Sequence, residues 1–279
     1  MKHETLGEAG LSYAPCRYGT SRILFRGPRR QLEGRYIAFV GGTETYGRFL
    51  EQPFPVLVET ALSDPCINFG MVNASVDAYA GEPTVIAACQ GAALNVVQVM
   101  GAQNMSNRFY TVHPRRNDRF LKASTVLQAI YPDVDFSDYC FTRHMLGALY
   151  ARSPDRFEIV RMELEAAWLG RMTSFLREIG KHTFLLWFAA HLPSDGRWDS
   201  RAQPFKADPL FVTRRMIDAL RPMVRGVVMA QPSARALAMG TEGMYFSPLQ
   251  AVAAAECLGL AAHQEVAAAL VTAIRGTNS

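Results

Sequence analysis

The chain has 279 residues, 49% of them hydrophobic and 19% charged, a balance that excludes a disordered or fibrous chain and supplies apolar material for one large core. The net charge of +4 falls short of a nucleic-acid-binding signature, and no helix-turn-helix, RRM or zinc spacing accompanies it. The five cysteines (Cys16, Cys66, Cys89, Cys140, Cys257) are widely spaced, without a CxxC pair, which argues against a metal centre or a disulfide framework and for reduced thiols.

Met1 to Glu8 lacks the apolar segment of a secretory signal. No run of about 18 uncharged apolar residues occurs, and Thr183 to Ala190 is far too short to span a bilayer. These features predict a cytoplasmic protein with no membrane span. Residues 1–34 are rich in Gly, Arg and Tyr and read as an N-terminal arm on a domain formed by residues 35–279. A short strand is expected over Ser21–Phe25, and Arg26, Arg29 and Arg30 add positive charge.

Tyr36–Val40 is an apolar run ending in Gly41-Gly42, a buried strand feeding a tight turn. Pro53 and Pro55 suit the start of a helix over Phe54–Leu62. Cys66–Gly70 predicts a second strand, Pro83–Cys89 a helix, and Leu94–Met100 a third strand followed by Gly101. Residues 104–160 form an Arg-rich, aromatic insertion with helices expected near Phe120–Ile130 and Phe141–Tyr150. Phe157–Ile179 is a long amphipathic helix stopped by Gly180. His182–Ala190 is a fourth strand. A helix over Asp208–Leu220 follows, with Asp208 as cap and Pro209 in its first turn. Gly226–Ala230 is a fifth strand, and Ala251–Ile274 is helical with a break at Gly259. Apolar strands alternating with helices specify a three-layer α/β/α, flavodoxin-like domain with a mostly parallel sheet and a helical insertion. Ligands of such sheets bind beyond the carboxyl ends of the strands.

Functional residues are therefore sought after strands one, two and three. The chain there reads Gly41-Gly42-Thr43-Glu44-Thr45-Tyr46-Gly47, then Asn68-Phe69-Gly70-Met71-Val72-Asn73, then Gly101-Ala102-Gln103-Asn104, while Ala261-Ala262-His263 opens a late helix. A hydroxyl on a glycine turn is presented at the sheet edge and needs a neighbouring base to attack. A histidine from a remote segment, here His263, supplies such a base on several folds. Backbone N–H groups at Thr43 and Gly70, with the Gln103 or Asn104 amide, could hold an oxyanion. The same residues also fit a blander pattern. Thr43 would then cap a helix, His263 would be a cap or surface residue, and Gln103 and Asn104 would satisfy loop backbone.

This ordered set resembles the SGNH/GDSL hydrolase superfamily over residues 36–274. It is also similar to a bacterial family built on that fold. The resemblance implies Thr43 in the nucleophile position and His263 as its base, with Gly42, Gly70, Asn73, Gln103 and Asn104 in oxyanion or positioning roles. Four positions depart from the pattern. Gly42 replaces Asp, Thr43 replaces Ser, Gln103 replaces Asn, and Leu260 stands where the Asp of Asp-x-x-His belongs. Glu256 or Glu242 is the candidate orienting carboxylate. The implied activity is a cofactor-free acyl hydrolase or acyltransferase acting on a polar, anionic, acylated small molecule or glycan. Thr45, Arg108, His113, Arg115 and Arg116 are expected to hold that substrate, arginine suiting bidentate contact with an anion. Alternatively the loop is solvated and its arginines pair with Asp118, Asp133 and Asp135. The departures equally fit a ligand-binding protein on the same fold that performs no chemistry.

Overall fold

A computed structural model describes residues 10–276, apart from Arg197, Ala202, Gln203 and Lys206. Its strands are Ile37–Val40 (β1), Cys66–Asn68 (β2), Leu94–Gln98 (β3), Tyr110–His113 (β4), Arg116–Ala123 (β5), Thr183–Phe188 (β6) and Gly226–Ala230 (β7). Its helices are Thr43–Tyr46 (α1), Phe54–Leu62 (α2), Asp77–Ala80 (α3), Pro83–Gly91 (α4), Thr125–Ile130 (α5), Thr142–Arg152 (α6), Pro154–Ile179 (α7), Arg214–Leu220 (α8), Ala234–Ala238 (α9), Ala251–Ala255 (α10) and Leu260–Gly276 (α11).

Five strands, none carrying a charged residue, form a wholly parallel sheet in the order β2-β1-β3-β6-β7. Every residue of β1, β2, β3 and β6 is buried, because helices cover both faces. Side chains alternate across the strands. Ile37, Phe39, Val96, Phe184 and Leu186 share a core with Phe54 and Val58 of α2 and with Val266 and Leu270 of α11. Ala38, Val40, Val97, Leu185 and Trp187 share the other with α4, α7 and α8. In α7, Phe157, Val160, Leu164, Trp168, Met172 and Phe175 form a buried stripe at helical spacing. Trp168 also donates its indole N–H to the Met100 carbonyl (2.7 Å), pinning this helix beneath the loop after β3.

Three expectations need correction. The insertion is not purely helical: β4 and β5 form an antiparallel hairpin, and the helix expected from Phe120 begins at Thr125, where the Ser124 hydroxyl accepts from Leu127 N–H. The helix expected from Asp208 begins at Arg214, capped by Thr213. The Leu210 carbonyl instead accepts the Ala102 N–H (2.9 Å), so this segment pairs with the loop after β3 and leaves the Asp208 carboxylate facing a cleft. The strand over Ser21–Phe25 reduces to a single bridge between Cys16 and Phe25. The arm packs on the domain through buried Tyr18, Ile23 and Phe25. Among the described residues no single helix is long and apolar enough to cross a membrane, although the bent pair Pro248–Ala255 and Leu260–Gly276 reaches that threshold together.

Candidate functional site

β1 lies between β2 and β3, so its neighbouring connections diverge and leave a crevice at the carboxyl ends. The turn after β1 is built around one amide. Gln98, the last residue of β3, accepts with Oε1 from Gly42 N–H (3.0 Å), Thr45 N–H (3.2 Å) and Thr45 Oγ1 (2.6 Å). The glycines allow the close approach. A Cβ on Gly41 would lie 2.1 Å from Thr45 Oγ1, and one on Gly70 would lie 2.2 Å from the Tyr46 backbone nitrogen. Gly42 has room, its nearest neighbour being Met100 Cγ at 3.8 Å. Gly70→Ala should therefore cost about 2–3 kcal/mol, since the clash is with backbone, while Gly42→Ala should cost less than about 1 kcal/mol. Urea denaturation of both variants checks this, and equal losses would contradict the packing described.

Thr43 opens α1 on this turn, and its Oγ1 accepts the Asn73 N–H (3.1 Å). Asn73 has φ 57°, a left-handed conformation that asparagine tolerates better than most residues. Two neighbours hold it there. Its Nδ2 donates to Asp118 Oδ2 (3.2 Å), and its carbonyl accepts from Asn104 Nδ2 (3.0 Å). Asn104 is oriented in turn by Thr142 Oγ1, which donates to its Oδ1 (2.6 Å). Nearby, Asn117 Oδ1 accepts both the N–H and the hydroxyl of Ser75 (3.0 Å each). The hairpin and α6 thus brace the hydroxyl from outside the sheet.

Thr43 lines a cleft of about 240 Å³ with Glu44, Arg48, Arg143, His191 and Asp208. Glu44 is half-buried, and its carboxyl is pushed up to about 7, first by burial and then by Asp208, against the opposing pull of Gln98 and Arg143. Gln98 Nε2 donates to Glu44 Oε2 (3.4 Å). Asp208 is held on both oxygens, by Gln103 Nε2 (2.8 Å) and by an ion pair with Arg143. No cluster of three or more His, Cys, Asp or Glu able to hold a metal occurs among the described residues.

Of the sequence candidates, Thr43, Asn73 and Gly42 meet at the crevice, and Glu256 stands at the cleft rim. His263 does not join them. Its ring is buried between Phe54 and Phe188, and Nδ1 accepts the Phe54 N–H (3.1 Å), capping a helix whose Pro53 offers no side-chain acceptor. Burial, and secondarily Arg26, pushes its pKa down to about 3, so it stays neutral and is no base for Thr43. Several of the oxyanion and positioning candidates are also committed elsewhere. Gly42 N–H serves Gln98, Gly70 N–H serves Asn68 Oδ1 (2.8 Å), and the Gln103 and Asn104 amides serve Asp208 and Asn73. Thr45 is buried against Gln98 and is closed to substrate.

The arginine expectation moves as well. Arg108 pairs with Glu163 (2.8 Å), while His113, Arg115 and Arg116 sit at the hairpin tip, away from the cleft lining. Asp133 pairs with Arg152 and Arg156, and Asp135 binds Ser137. Glu242 is exposed and does not line the cleft. Sequence reading missed Glu44, Arg48, Gln98, Arg143, His191 and Asp208. For Glu44, Gln98 and His191 the signal was present, since each lies at or just past the carboxyl end of a strand. For Arg143 and Asp208 only the tertiary fold could supply it.

Fold and cleft together define a doubly wound parallel α/β protein with a polar site at its topological switch point. The chain belongs to the family described as Domain of unknown function (DUF6473), which it matches over residues 1–278. No curated protein matches it. Among solved structures it is similar to a carbohydrate esterase family 2 enzyme with a carbohydrate-binding domain from Corynascus thermopiles (Myceliophthora fergusii), at 15% identity over 90% of this chain and 68% of that one, with a TM-score of 0.41. It is likewise similar to the lipase Lip_vut3 from a goat rumen metagenome, at 15% identity over 86% of this chain and 96% of that one, with a TM-score of 0.45. Neither likeness assigns a role to any residue of this chain.

Proposed function

We propose that the protein is an acyl hydrolase or acyltransferase acting on a polar small molecule or glycan, with Thr43 as nucleophile and Glu44 as its proton acceptor. The observation behind this reading is a carboxyl group held near neutrality in the cleft that Thr43 lines. A base with a pKa close to the working pH is the efficient choice for such a transfer. Ionised Glu44 takes the Oγ1 proton as Oγ1 bonds to the acyl carbon. The carbon–oxygen bond to the leaving group then breaks, and protonated Glu44 returns the proton to the departing oxygen. Water, or an acceptor hydroxyl, repeats the sequence and frees Thr43. The Asn73 N–H at Oγ1 stabilises negative charge as it develops there.

The test is p-nitrophenyl acetate turnover together with fluorophosphonate labelling. Thr43→Ala should lose both, and Glu44→Gln should lose at least about 100-fold in turnover. Turnover in the unmodified protein should rise through about pH 7, where Glu44 ionises. Stability separates chemistry from misfolding. The folded carboxyl titrates above its unfolded value of 4.5, so the fold loses stability as pH rises from about 4.5 to about 7. Glu44→Gln should escape that loss and equal or exceed the parent's stability at pH 8. A Thr43→Ala protein that still turns over substrate would eliminate the mechanism. The second reading, ligand binding without turnover, is favoured by the prior commitment of the Gly42, Gly70 and Asn104 donors. It predicts neither labelling nor hydrolysis in the parent protein.

A further inference from the structure

Two guanidinium groups reach the cleft from different elements. Arg48 comes from the turn directly after α1, with Cζ 4.6 Å from the Phe49 ring centroid, and among the described residues no carboxylate forms an ion pair with it. Arg143 comes from α6 in the insertion, beside Thr142, which orients Asn104. The carboxylates facing these arginines are largely spent. Asp208 is bonded at both oxygens, and Glu256 is exposed at the rim. Glu44 is the remaining inner carboxyl, and Cys257 and His191 are the other titratable groups of the wall.

We infer that the cleft takes a small ligand carrying an oxyanion group, such as a carboxylate, sulfate or phosphate monoester, held by Arg48 and Arg143. Planar guanidinium groups match such oxygens in bidentate fashion, and two of them from separate elements fix the group's position over the Thr43 turn. This deepens the proposed function, because it rests on that cleft being the substrate site, but it does not require turnover. The cleft lining sets Arg48 and Arg143 against Asp208 and the rim carboxylate of Glu256. Ionisation of Glu44 adds a further negative charge beside the bound anion. Anion affinity should accordingly fall as pH rises through about 7.

The experiment is calorimetric titration with sodium sulfate and sodium acetate, and with neutral acetamide as control, at fixed ionic strength and pH 6. Sulfate and acetate should bind and acetamide should not. Arg48→Gln should weaken anion binding at least tenfold. Arg143→Gln alone leaves Asp208 without its cation, so Arg143→Gln is combined with Asp208→Asn, and this pair should weaken binding to a similar degree. Arg115→Gln and Arg116→Gln should leave it unchanged. Glu44→Gln should keep sulfate binding and abolish its decline above pH 7. Undiminished binding in Arg48→Gln, or loss of binding in Arg115→Gln or Arg116→Gln, overturns the assignment. Sulfate binding that depends on Arg48 in a protein that never hydrolyses p-nitrophenyl acetate would remove the acyl-transfer mechanism and leave the oxyanion site standing.

Discussion

Arg26→Met should cost about 3–5 kcal/mol of folding stability, a large share of the roughly 5–15 kcal/mol margin of a typical domain. Arg26 is buried, and its guanidinium donates to four carbonyls. Nη1 reaches Tyr46 (3.0 Å) and Gly47 (2.5 Å), and Nη2 reaches Leu50 (2.6 Å) and Glu51 (2.9 Å). Two of these carbonyls close the end of α1 and two belong to the loop behind it. Helix-end carbonyls carry partial negative charge and lack intrahelical partners, so one cation satisfies several at once. The Tyr13 ring lies 5.2 Å away and covers the group. Methionine fills much of the volume but strands the carbonyls. Arg26→Lys should recover part of the loss, because an ammonium keeps the charge but not the planar fork. Urea denaturation of both variants gives the measurement. A loss below about 1 kcal/mol in Arg26→Met would mean the arm does not hold the turn. Because that turn carries Thr43, fluorophosphonate labelling should weaken along with stability.

Helix and strand positions were legible because apolar runs, prolines and glycines act locally. The helix over Phe54–Leu62 was placed to the residue by its prolines, and the break at Gly259 was visible in sequence. The β4–β5 hairpin was hidden, since its strand Arg-Asn-Asp-Arg-Phe-Leu-Lys-Ala carries four charges and little alternation. What holds it is Asn117, whose Nδ2 donates to the His113 and Pro114 carbonyls (3.2 Å each) while Oδ1 serves Ser75. No local pattern announces such a bond. His263 illustrates the converse. A histidine early in a helix reads as either a base or a cap, and burial with one N–H donor from a segment 209 residues away makes it a cap.

The insertion is where sequence reasoning was most limited and where the fold adds most. Arg108, Arg115 and Arg116 looked like the ligand site, but none of them lines the cleft. The insertion's contribution comes instead from Asp118, Thr142 and Arg143, which brace Asn73, orient Asn104 and hold Asp208. Thr142 and Arg143 are consecutive, so the placement of one helix end governs both sides of the cleft. Displacing α6 should therefore disturb the Thr43 hydroxyl and the cationic wall together.

Acidification should reveal His263 as a large pH-dependent liability of this fold. The ring sits between Phe54, with centroids 5.7 Å apart, and Phe188, at 5.1 Å, and it is almost wholly buried. Its pKa is pushed down from 6.5 to about 3 in the folded protein. Between those values the unfolded chain binds a proton that the folded one refuses, so stability rises with pH across the window and is lost on acidification. This single ring accounts for roughly 4 kcal/mol between pH 6.5 and pH 3. Glu44 acts in the opposite sense from about 4.5 to about 7, so the two slopes partly cancel in the parent protein. Variants separate them. Glu44→Gln should steepen the gain in stability between pH 4.5 and 6.5. His263→Asn keeps an acceptor for Phe54 N–H but cannot charge, so it should be less stable at pH 7 and flatter by about one proton below pH 6. If His263→Asn keeps the parent's slope between pH 3.5 and 6, the ring is being protonated in place and its role as a neutral cap is refuted.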